Sequence, residues 1–313
     1  MDVATITLTI AMMGLIILFG TLVAIRMTVT EDTKKLLMAV IINIAVPFII
    51  LNGVFNTEIT DEVLQQVVIV FIVSIIFNSS AILFSIIVLR MFRFQWSKAK
   101  KLSLLAAIGN TGFIAIPLCA AIFGPIGGLL AAVFDAGLDV ILFTLGVFIL
   151  QSDNQKFSLR QLKELINMPV IAIAIGLTFA VSGLEAPRLF QDLAGMLSGL
   201  AAPLAMLYIG FLLPPFFRQN QRILYRGIQY PLFIRLLFIP SVMILLLSLL
   251  DMDPFLRQLF VILSAMPTFM LAPVIYSRYT NEEDTAAMTT VVSTLLSLFT
   301  IPLITWVATL LFS

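Results

Sequence analysis

Two aspartates inside an apolar run, Asp135 and Asp139 in AAVFDAGLDVILFTLG, are the residues most able to do chemistry in this chain. Four residues apart on a helix, they project from one face. Counted at about 1.5 Å per residue from a helix start near Pro125, they lie roughly 15 and 21 Å deep, around the middle of a bilayer. A carboxylate at that depth is costly and marks an ion or proton pathway. Two on one face repel each other, and either a proton on one or a sodium ion held by both relieves the repulsion. The other acids lie at span ends or in loops, and no lysine or arginine is expected at comparable depth, so no ion pair is expected. The alternative role is a hydrogen bond across a helix interface, which Ala136 and Gly137 would allow by admitting a neighbouring helix closely.

A second group is GNTGFIAIPL, Gly109 to Leu118, which puts Asn110, Thr111, Gly112 and Pro117 inside a stretch long enough to cross a membrane. Proline has no amide hydrogen and clashes with the carbonyl four residues back, so the helix ladder opens there. Backbone groups freed in this way are tolerated in lipid only where protein or a wet cavity satisfies them. A helix that restarts after such a break offers amide hydrogens and partial positive charge, which suit an anion. Pro267, Thr268 and Pro273, in SAMPTFMLAP, form a matching group later in the chain. The alternative for each proline is a simple kink; Pro47 and Pro203, with only Asn43 and Asn52 as polar neighbours, fit that better.

Other chemistry is excluded by composition. There is no histidine, a single cysteine (Cys119, in an apolar segment) and a net charge of +1. No catalytic residue, metal site, disulfide or cofactor is therefore expected, and nucleic acid is not an expected partner.

The elements that must position these residues are membrane spans. Hydrophobic residues make up 61% of the 313 and charged ones 11%, against about a quarter charged in a soluble domain. The class is an all-α polytopic membrane protein. Ten spans are expected at 4–26, 36–55, 65–90, 102–122, 126–150, 168–184, 190–215, 230–250, 256–277 and 285–311. The first carries no basic start and reads as a permanent span rather than a cleaved signal. With the N-terminus outside, inner segments hold 16 of the 18 lysines and arginines, Arg235 among them, and outer ones only Arg188 and Arg257. Both termini are therefore expected on the extracytoplasmic face.

A shift of 156 residues superposes the punctuation of the chain on itself. Gly20 falls on Gly176, Ala45 and Pro47 on Ala201 and Pro203, and Phe113 and Pro117 on Phe269 and Pro273. Each half holds five spans, and an odd number inverts the second copy in the membrane. The expected domains are 1–150 and 168–313, two inverted five-helix repeats joined by a cytoplasmic linker at 151–167, whose SLRQLKELIN stretch has helical spacing. Inverted repeats with broken helices in equivalent positions, here four and nine, are the architecture of secondary transporters.

The ordered set AVPFIIL, GNTGFIAIP, FDAGLDVILFTLG, LAAPLAMLYIGFLL, SAMPTFMLAP and TTVVSTLLSLFTIPL resembles the auxin efflux carrier family, in its bacterial branch, over essentially the whole length. That resemblance implies a scaffold from spans 1, 2, 6 and 7 and a mobile transport unit from spans 3–5 and 8–10. It implies an elevator-type movement, often in a homodimer, and a small organic anion such as malate or malonate as substrate, carried across the cell membrane with a proton or sodium ion. Substrate contacts are implied at Asn110, Thr111, Pro117, Pro267, Thr268 and Pro273, with Gly112 expected beside them; the depth and spacing of Asp135 and Asp139 make that pair the expected site of ion or proton coupling. Phe269, Met270 and Leu271 depart from the small polar residues the family often carries there. A channel and an enzyme within the membrane are the competing readings; Asp135 and Asp139 have no second acidic cluster with which to build an enzyme site.

Overall fold

The computed structural model describes residues 3–151, 163–218 and 227–312, and among these the regular elements are all helical. Seven helical runs are long and apolar enough to cross a membrane. They present large apolar side chains outward, for example Phe19, Ile72 and Phe299, at 58%, 51% and 77% exposure. Such faces suit lipid and not water. The chain is a multi-pass membrane protein.

The first run is α1 (Val3–Arg26). The second is α2 (Glu31–Val40), a π-helical turn at Ile41–Ala45 and α3 (Val46–Phe55). Here Pro47 follows a wide turn in which the ladder is already re-registered, which is more than the simple kink expected. Helix α4 (Asp61–Met91) starts on Thr60, whose hydroxyl accepts from the Val63 amide, the usual way to satisfy a first-turn donor.

Next come α5 (Trp96–Ala107), a π turn at Thr111–Ala115, α6 (Ile116–Ile141), a further π turn at Leu142–Gly146 and α7 (Val147–Leu150). From Thr111 to Leu150 the run is 40 residues, about 60 Å if straight and twice a bilayer core. It is not straight. Gly124 has φ +75°, and a Cβ on Gly128 would lie 3.0 Å from the Cβ of Ala120, eight residues earlier. An unbroken helix would separate them by about 12 Å. The chain therefore doubles back at Gly124–Pro125, and Asp135 and Asp139 lie on the returning arm.

The remaining helices are α8 (Met168–Ser182), α9 (Arg188–Ser198), α10 (Ala201–Arg218), α11 (Gln229–Phe233) and, after a π turn at Ile234–Phe238, α12 (Ile239–Leu249). Then follow α13 (Pro254–Ser264), α14 (Ala272–Tyr279) and α15 (Glu283–Phe312). The span expected at 190–215 is interrupted at Gly199–Leu200, just before Pro203. At 11 and 8 residues, α13 and α14 are too short to span alone. Most of the expected linker helix, 152–162, lies outside the described residues, as do Arg222 and Arg226; only a single tight turn at 163–165 is described.

The 156-residue offset recurs in element bounds. Helix α5 shifted by 156 covers 252–263, against Pro254–Ser264 for α13; the first arm of α6, 116–123, shifts onto 272–279, the bounds of α14. It recurs in packing too. Helix α1 packs on α10, and α3 packs on α8. The shift takes α3 onto 202–211 of α10, and takes 12–26 of α1 onto α8, so each pair maps onto the other. The α1–α10 crossing is close because glycines meet: a Cβ on Gly210 would stand 2.4 Å from the Ile17 carbonyl oxygen.

Candidate functional site

The two breaks lie side by side. Residues 108–110, after α5, run antiparallel to residues 267–269, after α13, with Gly109 opposite Thr268. The Asn110 amide donates to the Pro267 carbonyl at 2.7 Å, and the Phe269 amide to the Ile108 carbonyl at 3.2 Å. Backbone groups released from two helices thus satisfy each other, which hydrocarbon requires of them. Side chains complete the pairing. The Thr268 amide donates to Ser293 Oγ at 3.0 Å, its hydroxyl to the Leu105 carbonyl at 2.9 Å, and the Thr290 hydroxyl to the Phe269 carbonyl at 3.2 Å.

Beneath this pairing lies Arg235, on the π turn before α12 and wholly buried. Its Nε donates to the Met266 carbonyl at 2.6 Å, Nη1 to the Ala107 carbonyl at 2.6 Å and Nη2 to the Ser264 carbonyl at 2.8 Å. Sequence reading places Arg235 with the inner loop charges; the fold instead buries it at the crossover, where its partners are backbone carbonyls and it makes no ion pair with Asp135 or Asp139. Its signal was present, an arginine six residues into an apolar span, but its acceptors are backbone carbonyls that no side-chain pattern announces.

On the open side of the crossover, Asn110 caps the π turn at Thr111–Ala115, its Oδ1 accepting from the Phe113 amide at 3.3 Å. Asn110 is 3% exposed, and its Nδ2 has no hydrogen-bond partner. The Thr111 hydroxyl donates to Asp135 Oδ1, and the Gly112 amide also faces that carboxylate. Gly112 leaves room for that carboxylate, because a Cβ there would lie 3.0 Å from Asp135 Oδ2, tighter than an ordinary contact. Asp139, one turn along, accepts from Asn167 Nδ2 at 2.9 Å; Asn167 in turn caps α8, its Oδ1 accepting from the Val170 amide at 3.0 Å. Asn167 escaped sequence reading because its role there is that of an ordinary helix cap.

These groups enclose a cavity of about 100 Å³. Its polar lining is Asn110, Thr111, Asp135, Asp139 and Asn167; Ile41, Ile42 and Val46 of the second run close one side, and Phe269, Met270 and Leu271 another. Of the residues singled out in the sequence, Asn110, Thr111, Gly112, Asp135 and Asp139 converge on it. Pro117, Pro267, Thr268 and Pro273 do not line it. Pro267 and Thr268 are buried in the pairing itself, Pro273 sits in the first turn of α14, and Pro117 lines a separate cavity of about 280 Å³ beside Ser198, Gly199 and Ala202.

The sequence matches the family described as "Membrane transport protein" over residues 5–305. A protein of Methanothermobacter thermautotrophicus described as an uncharacterized transporter is 24% identical over 300 residues, covering 95% of this chain and 96% of its own length. Another uncharacterized transporter, from Methanocaldococcus jannaschii, is 24% identical over 313 residues, covering 98% of each chain.

Proposed function

The chain belongs to the auxin efflux carrier family of membrane transport proteins, and on that premise we propose that it is a secondary active transporter for a small organic anion of the malate or malonate type. The solute is held at the crossover of residues 108–113 and 267–271, and crosses the cell membrane by alternating access of elevator type, coupled to a proton or sodium ion. The repeats are 1–150 and 168–313, inverted about a pseudo-two-fold axis, with ten spans and outward termini. The recurring element bounds and the exchanged pairs α1–α10 and α8–α3 support that architecture. Spans 1, 2, 6 and 7 form the scaffold, spans 3–5 and 8–10 the moving unit, and the family resemblance supports a homodimer.

One observation carries the site assignment. Asn110 Nδ2 is buried, lacks a partner and lines the cavity that also holds Asp135 and Asp139. A buried donor left unpaired costs about 1–3 kcal/mol, a cost that a bound acceptor removes. An anionic solute has to enter beside two carboxylates, and their repulsion is lifted when a proton or cation neutralises them. Coupling then follows from electrostatics: the ion binds first and creates the charge balance that admits the anion. At about 100 Å³ the cavity is below the roughly 150 Å³ that accommodates benzene, so the solute is small.

Uptake of radiolabelled malonate and malate into proteoliposomes tests this. Saturable uptake that rises with an imposed proton or sodium gradient supports the reading. Rapid flux indifferent to gradients identifies a channel, and absence of flux for both acids removes the substrate class.

A further inference from the structure

Arg235 is a buried cation with no acidic partner among the described residues. Its three acceptors are all backbone carbonyls, and their positions are informative. Ala107 is the last residue of α5 and Ser264 the last of α13, with Met266 two residues beyond. Both half-helices end at the crossover and leave carbonyls there without amide partners. Each such end carries about half a negative charge, and each helix that restarts carries about half a positive one. The restarting ends are Thr111–Ala115 and α14; Thr111, Gly112, Met270 and Leu271 at those ends line the cavity.

The sum decides what the crossover attracts. Without a cation, two carbonyl ends and two amide ends cancel, and the unwound backbone has no preference for either sign of charge. With one guanidinium on the carbonyl ends, they are neutralised, and about one positive charge remains on the amide side; Asp135 takes up part of it through the Gly112 amide, and the rest is open to a solute once a proton or cation neutralises the carboxylates. Guanidinium suits the task because it is planar and stays charged when buried, and its fork reaches three acceptors at once. Gly109 makes room for it, since a Cβ there would lie 2.8 Å from Nη2. We propose that Arg235 is the anion-selecting and positioning residue of the crossover: it ties the ends of α5 and α13 together, cancels their negative ends, and leaves the cavity-facing amides as the positive field that a small anion meets once Asp135 and Asp139 are neutralised. It acts from behind the backbone and does not line the cavity. This rests on the crossover being the solute site.

The test uses the full-length purified protein, binding of radiolabelled malonate, and the variants Arg235→Gln and Arg235→Lys. Glutamine keeps an N–H donor and loses the charge; lysine keeps the charge and loses the fork. Malonate affinity is expected to fall about tenfold or more in Arg235→Gln and to lie between wild type and that variant in Arg235→Lys, whose ammonium restores charge without the three-acceptor fork, while uncharged malonamide competes equally poorly with all three. Wild-type affinity in Arg235→Gln overturns the proposal, and so does an Arg235→Lys protein as weak as the glutamine variant, since that pattern means geometry alone matters. Should Arg235→Gln not accumulate, Arg235→Lys decides by its pH response: malonate affinity that does not weaken, relative to wild type, as pH rises through the range where a buried lysine loses its proton overturns the proposal. If the wild type binds neither malonate nor malate, the substrate reading has failed, and hydrogen exchange then judges Arg235 separately. Lost protection of the Asn110 and Phe269 amides in the lysine variant or the glutamine variant supports its positioning role; wild-type protection in both overturns it.

Discussion

Replacing Asp135 by asparagine keeps the shape of the side chain and removes its charge, which separates the carboxylate's structural role from its coupling role. Asp135 and Asp139 stand one helical turn apart, about 6 Å between Cβ atoms. At an effective dielectric constant near 20, two unit charges at that distance repel by about 3 kcal/mol, roughly two orders of magnitude in the affinity for the proton or cation that relieves them. The substitution removes that repulsion. Against it stand the Thr111 hydroxyl and the Gly112 amide, whose bonds to a charged acceptor exceed those to a neutral amide by about 1 kcal/mol each. These terms largely offset, so Asp135→Asn should fold and melt close to wild type. Transport should change qualitatively. With one carboxylate gone, the site has lost one of the two charges that a proton or sodium ion compensates, and uptake of malonate into proteoliposomes should lose most of its response to imposed proton and sodium gradients. Malonate counterflow, which needs no net ion movement, should persist within about tenfold. Gradient-driven uptake at the wild-type level in Asp135→Asn would refute both the coupling role and the electrostatic reasoning behind it.

Asn110→Ala removes both the cap on the π turn and the unpaired cavity donor; malonate affinity should weaken about tenfold or more, measured by equilibrium binding. Gly112→Val forces a side chain against Asp135 Oδ2, and should abolish counterflow while surface expression remains. Asn167→Ala deletes the donor to Asp139 and the cap of α8, and a loss of about 1–2 kcal/mol should appear as an earlier melting transition in detergent. Gly210→Val places branched carbons where a Cβ already meets the Ile17 carbonyl at 2.4 Å; the α1–α10 crossing should open and the protein should fail to accumulate, with expression level as the readout.

The chain's pattern made much of this legible. Apolar runs and their loop charges are local properties, because a bilayer tests each segment for length and polarity independently. The family assignment rests on the same ordered punctuation, and residues 5–305 carry it. Asn110, Thr111, Gly112, Asp135 and Asp139 were visible because a polar or helix-breaking residue in hydrocarbon is costly and needs a partner. Pro47 and Pro203 were read too simply: a π turn or a broken ladder is a property of several backbone bonds, and the proline marks only its edge.

What the sequence determined by itself was therefore that long apolar segments build a multi-pass helical membrane protein, and where some of those helices cannot continue. Tertiary structure alone decided what the interrupted backbone does next. The Arg235 guanidinium reaches a carbonyl 128 residues away in sequence and others 31 and 29 away, and Thr268 reaches one 163 away. Every residue type carries the same carbonyl and amide, so no side-chain pattern can specify which of them will meet. Their pairing is settled only when two half-helices are packed against one another, and the polarity of the cavity follows from that packing.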